Sequence, residues 1–344
     1  MPDLPVVSPE AAIVVTASRA EQEQARTAAS VTVVTDERTQ RLGEPLLSSV
    51  LRLAPSAAVA ITGPAGSQTQ LRLRGSEANH TLLFIDGIRA NDPAAGNEPR
   101  FELLNADMAS RVEIVRGPST LVYGGSAIGG VVNVLDGRIP EALPEGGLEG
   151  RLVAQGSTVD EGTSFGGRAD IAFGNFVLHL DAVTKEADDY EVPSSPISRR
   201  LADAEGIDRD RTGVVPGSFS ELDAWGIGGS FVGDRGFAGV SYKETDSTYG
   251  VVAEEGVFIE LEQQRFDARG ELRFDTGPFR ALRGAFGQAD YTHTEFEDVD
   301  EPGTVFESDG WEARADLIQR DQNGWNGAIG VQALSRDLLA VGDE

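Results

Sequence analysis

The second half of the chain is dominated by segments in which apolar and charged side chains alternate. In residues 265–274, every odd position is charged and every even position is apolar or glycine. The same alternation runs through residues 165–173, 311–317 and 325–333. Because a period of two places successive side chains on opposite faces of a β-strand, each of these strands needs one apolar and one aqueous face.

The alternation predicts nine strands, joined by links that alternate in length. The strands are predicted near residues 148–157, 163–174, 175–186, 218–233, 236–247, 257–275, 278–296, 306–320 and 325–341. Tight links lie at 174–175, 233–236, 275–278 and 321–324, whereas polar or acidic long links lie at 187–217, 246–256 and 297–305. Short turns at one end and long loops at the other are typical of an outer-membrane β-barrel rather than a soluble β-sandwich.

Aromatic residues beside the tight links give a second indication that does not depend on the strand count. The rings flanking these links are Phe173 and Phe176, Phe231 and Phe237, Phe274 and Phe279, and Trp325. Rings gathered at one end of successive strands predict an aromatic girdle at a bilayer interface. A soluble sandwich would place its aromatic residues near the strand centres.

A glycine-rich connection between two short apolar runs organises the first half of the chain. Residues 112–115 and 131–135 have the length and β-branched content of buried strands. The connection opens with Arg116-Gly117-Pro118 and contains four further glycines, which favour a tightly folded turn. By itself this segment also fits the link of a βαβ unit. A phosphate-binding loop fits less well, because the glycines do not follow G-x-x-x-x-G-K-[ST] and the segment has no lysine.

The complete pattern V-E-I-V-R-G-P-x-x-x-x-Y-G-x-x-A-I-G-G-V-V-N-V resembles the end of the plug domain of TonB-dependent outer-membrane receptors. The segments L-R-L-R-G at 71–75 and L-L-F-I-D-G-I-R at 82–89 match that domain in order and spacing. The resemblance implies a mixed α/β plug domain followed by an antiparallel transmembrane β-barrel of about twenty-two strands. The chain would then be a fragment that supplies about nine of those strands. The expected divisions are a flexible N-terminal segment (1–30), the plug domain (31–136), a linker (137–147) and the N-terminal part of the barrel (148–344).

A short β-prone segment lies within the N-terminal residues. The resemblance implies that it is the TonB box, which pairs by strand addition with the periplasmic energy-transducing protein TonB. An ordinary edge strand is the alternative. The residues of this predicted TonB box are Ile13, Val14, Val15, Thr16 and Ala17.

The resemblance also implies roles for residues within the plug. Arg74 and Arg116 end plug strands and would pair with glutamates on the inner barrel wall, for which Glu271 and Glu312 are candidates. Ordinary solvated strand ends are the alternative. Two plug loops would touch the ligand, unless they are simple connectors. The ligand-facing residues predicted in these loops are Gln68, Thr69, Asn91, Asp92, Asn97 and Glu98.

Residues 249–261 and 290–297 resemble the zinc-uptake branch of these receptors. That branch usually inserts a histidine-rich loop after Tyr-Gly, whereas the corresponding residues 251–255 contain no histidine. The candidate metal ligands are therefore limited to His293, Glu295 and Glu297, and a solvated acidic loop is the alternative.

Composition excludes several functional classes. The chain has 56 acidic and 29 basic residues, a net charge of -27 that argues against nucleic acid as a partner. It has no cysteine, so neither disulfides nor thiolate metal sites can form. Its three histidines show no metal-ligand spacing and no catalytic constellation stands out, so we expect neither an enzyme nor a cofactor. The chain contains no apolar run of about 18 residues. It also opens without a signal peptide, which fits a mature, an engineered or a misassigned start.

The resemblance implies TonB-dependent transport of a scarce nutrient across the bacterial outer membrane. The nutrient would be a metal ion, a metal chelate such as a siderophore, or a cobalamin-like ligand. The expected partners are TonB, outer-membrane lipid and that small ligand. The alternative is a surface-exposed ligand-binding or adhesion β-protein without transport activity, which would be soluble without detergent.

Overall fold

The computed structural model describes residues 13–14, 22–24, 27–42, 46–90, 99–105, 108–206, 213–254, 256–298, 301–325 and 327–342. In its first part, the described strands include one mixed five-stranded sheet in the order β3–β8–β9–β6–β7. These strands are β3 Ser30–Thr35, β6 Thr81–Ile85, β7 Ile88–Arg89, β8 Arg111–Arg116 and β9 Gly130–Leu135. Strands β6 and β9 are parallel, and the other neighbouring pairs are antiparallel.

The glycine-rich connection joins β8 directly to its antiparallel neighbour β9. It contains the short helix α3, Thr120–Tyr123. Gly130 requires its lack of a side chain, because a Cβ there would overlap the carbonyl oxygen of Val115 on β8. The βαβ interpretation of this segment is therefore wrong, since that unit joins parallel strands.

Two hairpins and two helices complete the first part. The hairpins pair β1 Ile13–Val14 with β2 Gln22–Glu23, and β4 Ala57–Ile61 with β5 Thr69–Leu73. The helices are α1 Asp36–Leu42 and α2 Leu47–Leu51, and short 3₁₀ helices span Ala78–His80 and Phe101–Leu103. A shared apolar core joins α2, β5 and the mixed sheet; it includes Leu47, Leu51, Leu71, Leu83 and Ile114.

Within the described residues, the second part forms one antiparallel nine-stranded sheet, which we call the wall. Each strand pairs with the next one in the sequence. A 3₁₀ helix at Glu145–Gly147 precedes the wall, and helix α4, Arg199–Glu205, lies in its longest link. The predicted number of strands is confirmed. The strands are β10 Leu148–Gly156, β11 Thr163–Phe173, β12 Phe176–Ala187, β13 Ser220–Gly233, β14 Gly236–Gly250, β15 Phe258–Arg273, β16 Phe279–Asp298, β17 Glu301–Gln319 and β18 Ala328–Val341.

The links divide the wall into two ends. We call the end near the tight links the turn end, and the end near residues 188–219 and 251–257 the loop end. The predicted long link at 297–305 is mostly strand, because β16 extends to Asp298 and β17 begins at Glu301. Within the described residues, no helix is both long and apolar enough to cross a bilayer.

The two faces of the wall differ in the way that the alternation predicts. The outer face carries Trp225, Phe266 and Trp311, which are 45%, 40% and 38% exposed. Trp225 also contacts the ring of Tyr242, at 5.5 Å between centroids. The inner face is polar, and most of its side chains are covered by the first part of the chain. A sheet with a polar, covered face and an exposed apolar face is expected for a barrel wall in lipid.

Part of the predicted aromatic girdle lies on the outer face at the turn end. Phe173, Phe176 and Phe231 are exposed, and the rings of Phe176 and Phe231 lie 5.2 Å apart. The inclusion of Phe237 in this girdle is wrong, because its side chain is buried on the inner face. The hairpin register pairs Phe237 with Val232 rather than with Phe231, and directly paired residues share a face of the sheet.

Candidate functional site: the plug–wall interface

The first contact between the two parts is made by Asp36, at the start of helix α1. Its carboxylate accepts hydrogen bonds from Arg151 on β10 and from Arg168 on β11, the latter at 2.8 Å. The Asp36 side chain is 24% exposed, so these ion pairs are largely shielded from water. Asp36 therefore fixes the segment that follows β3 to the first strands of the wall.

Residues 136–141, which follow the mixed sheet, lie along the inner face of the wall, and we call them the strap. Arg138 donates to both carboxylate oxygens of Asp181 on β12, at 2.7 and 2.8 Å, and also pairs with Asp136. Ser230 donates to the carbonyl oxygen of Pro140 at 2.6 Å. A Cβ at Gly228 would overlap the carbonyl oxygen of Arg138, so glycine at this wall position allows the strap to lie directly on the sheet.

The turn between β6 and β7 meets the wall near its turn end. Asp86 has a positive φ of 49° in the Asp86-Gly87 turn and lies 3.4 Å from the Arg269 guanidinium on β15. Arg314 on β17 donates to the Gly87 carbonyl at 3.4 Å. Burial raises the pKa of Asp86 well above its usual value. Arg269 opposes this shift, and the neighbouring Asp136 carboxylate adds to it.

Asp136 shows the opposite shift. Burial alone would raise the pKa of Asp136, but the Arg138 guanidinium and a hydrogen bond shared with Asp86 hold it below its usual value. The pKa values of the two carboxyl groups are therefore shifted in opposite directions, and a hydrogen bond joins them. Since both belong to the plug side of the interface, this hydrogen bond links the β6–β7 turn to the start of the strap.

Arg100 anchors the plug at the loop end of the wall. Its guanidinium donates to the Tyr249 hydroxyl at 3.0 Å, lies 5.7 Å from the centroid of the Tyr291 ring and pairs with Glu102 at 2.7 Å. Glu102 in turn accepts a hydrogen bond from the Thr69 backbone N–H at 3.2 Å. Although burial alone would lower the pKa of Arg100, Glu102 and the two tyrosines raise it above its usual value, so the guanidinium stays charged.

Strand β7 presses against the middle of the wall. The backbone N–H of Arg89 donates to Glu312 at 3.2 Å, and Glu312 is fully buried. A Cβ at Gly287 would lie 2.7 Å from the Ile88 side chain, which explains why this wall position is glycine. Lysines add contacts nearer the loop end: Lys185 donates to Asn105 at 3.2 Å and Lys243 to the Leu103 carbonyl at 3.4 Å.

These contacts differ from the predicted arginine–glutamate pairs. Arg74 is exposed and lies beside Gly117, while Arg116 donates to the Pro55 carbonyl at 3.0 Å. Burial and the neighbouring Arg74 lower the pKa of Arg116. Glu271 pairs with Arg273 and Arg283 of the wall itself. Glu312 does hold the plug, but through the Arg89 backbone, so the structure does not bring the predicted partners together.

Most charged contacts of the interface place the cation on the wall, whereas the prediction placed the cations on the plug. Wall cations meet plug carboxylates and carbonyls at Asp36, Asp86, Gly87 and Leu103. Arg138 and Arg100 are the converse, since they are cations of the strap and plug that meet wall groups. The sequence signal for the wall cations is their position on the polar face of alternating strands, but the alternation does not reveal their partners.

The predicted ligand loops are described only in part. Gln68 and Thr69 lie in the segment next to the loop end, where a Cβ at Gly66 would meet the Tyr249 ring at 2.7 Å. The Thr69 side chain is buried. Contact between these residues and a ligand stays a prediction. Asn91, Asp92, Asn97 and Glu98 lie outside the described residues.

The predicted TonB box is also partly outside the described residues. Ile13 and Val14 form β1, which pairs with Gln22–Glu23. Val15, Thr16 and Ala17 are not described. The role of the segment stays a prediction.

The three candidate metal ligands are not assembled into a site. The His293 Nδ1 atom lies 2.6 Å from the Tyr291 hydroxyl, and its Nε2 atom lies 3.8 Å from Glu295. Glu297 is exposed farther along β16. Across the described part of the chain, no group of three or more histidine and carboxylate side chains is placed to hold a metal ion. The imidazole is instead part of the buried contact around Arg100 and Tyr291.

A family model described as "TonB-dependent Receptor Plug Domain" matches residues 23–131. The match covers β3, β6, β7 and β8 of the mixed sheet and the segments that carry Asp36, Asp86 and Arg100, and it ends at the second residue of β9. Residues 23–131 therefore match the plug domain of TonB-dependent receptors. The predicted resemblance of this region is therefore confirmed, whereas the similarity to a zinc-uptake branch stays a prediction.

Three solved structures share this fold. The chain aligns with the copper transporter OprC over 91% of its own length and 47% of that chain, with a TM-score of 0.71 and 14% identity. It aligns with the iron transporter FrpB from Neisseria meningitidis over 90% of its own length and 48% of that chain, with a TM-score of 0.70 and 15% identity. It aligns with the alcaligin outer-membrane receptor FauA from Bordetella pertussis over 96% of its own length and 51% of that chain, with a TM-score of 0.66 and 14% identity.

The chain spans about half the length of these structures. The predicted fold class, a plug domain followed by part of an antiparallel transmembrane β-barrel, is confirmed. The plug-domain match and the fold also support the prediction of a receptor rather than an enzyme.

Proposed function

We propose that this chain is the plug and the first part of the barrel of a receptor in the bacterial outer membrane, which takes up a scarce nutrient with energy from TonB. The proposed divisions are the N-terminal segment 1–30, the plug 31–136, the linker 137–147 and the barrel part 148–344. The proposed partners are TonB, outer-membrane lipid and a small metal-containing or cobalamin-like ligand.

One observation carries this proposal. The plug is held on the polar face of the wall by Asp36, Asp86 and Arg100, while the opposite face exposes an apolar surface edged with aromatic rings. A plug closing the aqueous side of a lipid-facing sheet blocks free diffusion, so passage requires work on the plug. The matched structures are those of a copper transporter, an iron transporter and an alcaligin receptor, which supports a metal or a metal chelate as the cargo class.

Uptake by cells that express the full-length receptor tests the proposal. Val15→Pro removes a backbone N–H from the predicted TonB box and fixes its φ, so strand addition to TonB should fail. Energised uptake should then fall to the background of receptor-free cells, while binding to de-energised cells stays unchanged. The probes are radioactive copper and radioactive iron–siderophore complexes, tested one at a time.

Val7→Pro is the matched control, because it places the same residue in the same N-terminal segment but outside the box. It should leave uptake unchanged. Undiminished uptake by the Val15→Pro receptor would remove TonB coupling through this segment. Absence of uptake of every probe by the unmodified receptor, despite normal insertion in the membrane, would count against transport.

A further inference from the structure

A partly open cavity remains between the plug and the wall, near the turn end. It has a volume of about 360 Å³ and lies between the β6–β7 turn, strand β9 and wall strands β15–β17. The Glu141 side chain, which is half exposed, marks its open side near the strap. We call this space the chamber. Its volume has room for on the order of ten water molecules.

The chamber is lined by charges of both signs. Arg283 pairs with Glu271 at 2.5 Å, Arg314 with Asp316 at 2.5 Å, and Arg269 with Glu141 at 2.9 Å. Each ion pair joins a positive and a negative side chain, so the lining carries little net charge. A polar solute can therefore replace water along such a surface without meeting a strong field of one sign.

Some polar atoms of the lining make no hydrogen bond within the protein. Among the described residues, the buried atoms Arg111 Nε and Arg269 Nε have no hydrogen-bond partner, and Asp86 Oδ1 has none either but lies 3.4 Å from the Arg269 guanidinium. The Asp86 side chain is 9% exposed. Because an unsatisfied buried polar atom costs about 1–3 kcal/mol, these atoms favour water or another polar solute inside the chamber.

Strand β7 separates the chamber from the loop end of the wall. Ile88 is 2% exposed and rests on Gly287, and the Arg89 backbone is held by Glu312. β7 is the last strand of the mixed sheet and pairs only with β6 within that sheet. It can therefore move away from the wall while the other strands of the mixed sheet keep their ladders.

We propose that the chamber is an internal binding site for a small charged metal complex, and that β7 is the gate between it and the loop end. The site rests on the proposed uptake function and adds a step to it. Cargo held near the loop end passes β7, replaces water among the arginine–carboxylate pairs and leaves beside Glu141. The ion pairs of the lining can accommodate hydrophilic cargo of either charge, while Tyr123, Leu135 and Phe237 add apolar surface.

Cysteine labelling of the purified full-length receptor in detergent tests this site, because the 344 residues contain no native cysteine. Cysteines elsewhere in the receptor are replaced by serine. Ala285 lines the chamber, whereas Ala289 lies on the same face of the same strand, is 2% exposed and does not line it. The probes are methanethiosulfonate reagents that carry a trimethylammonium or a sulfonate group.

Ala285→Cys should react with both reagents at least tenfold faster than Ala289→Cys. Leu135→Cys and Val134→Cys give the same comparison from the plug side, since Leu135 lines the chamber and Val134 is buried in the plug core. This second pair replaces the first if Ala285→Cys or Ala289→Cys does not fold. Equal rates within a pair would show that the chamber is no more accessible to water than the buried control position. Reaction only with an uncharged maleimide would show that the chamber is dry. Either result would overturn the proposal.

Labelling needs no energy source, so its result does not depend on whether the receptor transports. In cells, labelled Ala285→Cys should take up radioactive copper or the iron–siderophore complex at least tenfold more slowly than the unlabelled variant, with surface binding unchanged. Unchanged uptake after full labelling would overturn the chamber as a station for cargo. Absence of uptake even before labelling would instead count against the proposed function.

Discussion

The contact between Asp36 and the wall gives a sharp quantitative prediction for Asp36→Ala. Asp36 accepts charged hydrogen bonds from Arg151 and Arg168, each worth about 1.5–3 kcal/mol. Because the Asp36 side chain is 24% exposed, screening by water reduces their combined contribution to about 2–4 kcal/mol. At about 1.4 kcal/mol per factor of ten, opening of this edge of the plug should become about 30- to 700-fold more favourable.

Hydrogen exchange followed by mass spectrometry on the full-length receptor measures this opening. The amides of β3 and α1 should exchange faster by that factor in Asp36→Ala, while amides of the wall hairpin β14–β15 keep their protection. Glu37→Ala is the control, because Glu37 occupies the same first turn of α1 but makes only an exposed pair with Arg41 at 3.8 Å. If the two variants exchange within threefold of each other in β3 and α1, the reasoning about Asp36 is refuted.

Three further predictions address the carboxyl pair, the strap and the outer face. Burial raises the pKa of Asp86 above its ordinary value of 3.8, so protonation of Asp86 stabilises the plug at low pH and this stability is lost as the pH rises through the raised pKa. The free energy of unfolding in urea should therefore vary less with pH for Asp86→Asn than for the unmodified receptor. An undiminished pH dependence would contradict the shift. Gly228→Ala should destabilise the receptor by about 1–3 kcal/mol because its Cβ would overlap the Arg138 carbonyl. The control Gly284→Ala, with nothing within 4 Å of its Cβ, should change the free energy of unfolding by less than about 0.5 kcal/mol. Equal chemical denaturation curves for the two variants would contradict this account of the strap. Val240→Arg should cost about 2–4 kcal/mol in refolding into vesicles, and a cost below about 0.5 kcal/mol would indicate an aqueous outer face.

The strands of the wall were predictable because one rule determines them. A sheet with a lipid face and an aqueous face imposes strict alternation, and the tight links mark where each strand reverses. The same rule fails where a register must be known. Phe237 was assigned to the girdle from its nearness to the tight link, but the hairpin register places it opposite Val232 and turns its ring inward.

The contacts of the plug with the wall were less predictable, because they join residues far apart in the sequence. Asp36 begins helix α1, and the two arginines that it binds lie 115 and 132 residues farther along the sequence. Arg74 and Arg116 are predicted to pair with wall glutamates because they end plug strands. Arg116 instead donates to the Pro55 carbonyl within the plug, and Glu312 of the wall binds the Arg89 backbone. Local patterns specify charge and face, while the pairing of charges depends on how the plug is rotated against the wall.

The central claim is that the wall faces lipid on one side and the plug on the other. Fluorescence quenching tests it most directly, in full-length receptors that keep either Trp225 or Trp311 as the single tryptophan and are reconstituted in vesicles. Both residues lie on the outer face, so brominated lipid should quench each of them strongly and aqueous iodide weakly. Strong quenching by iodide, with little effect of brominated lipid, would contradict the claim.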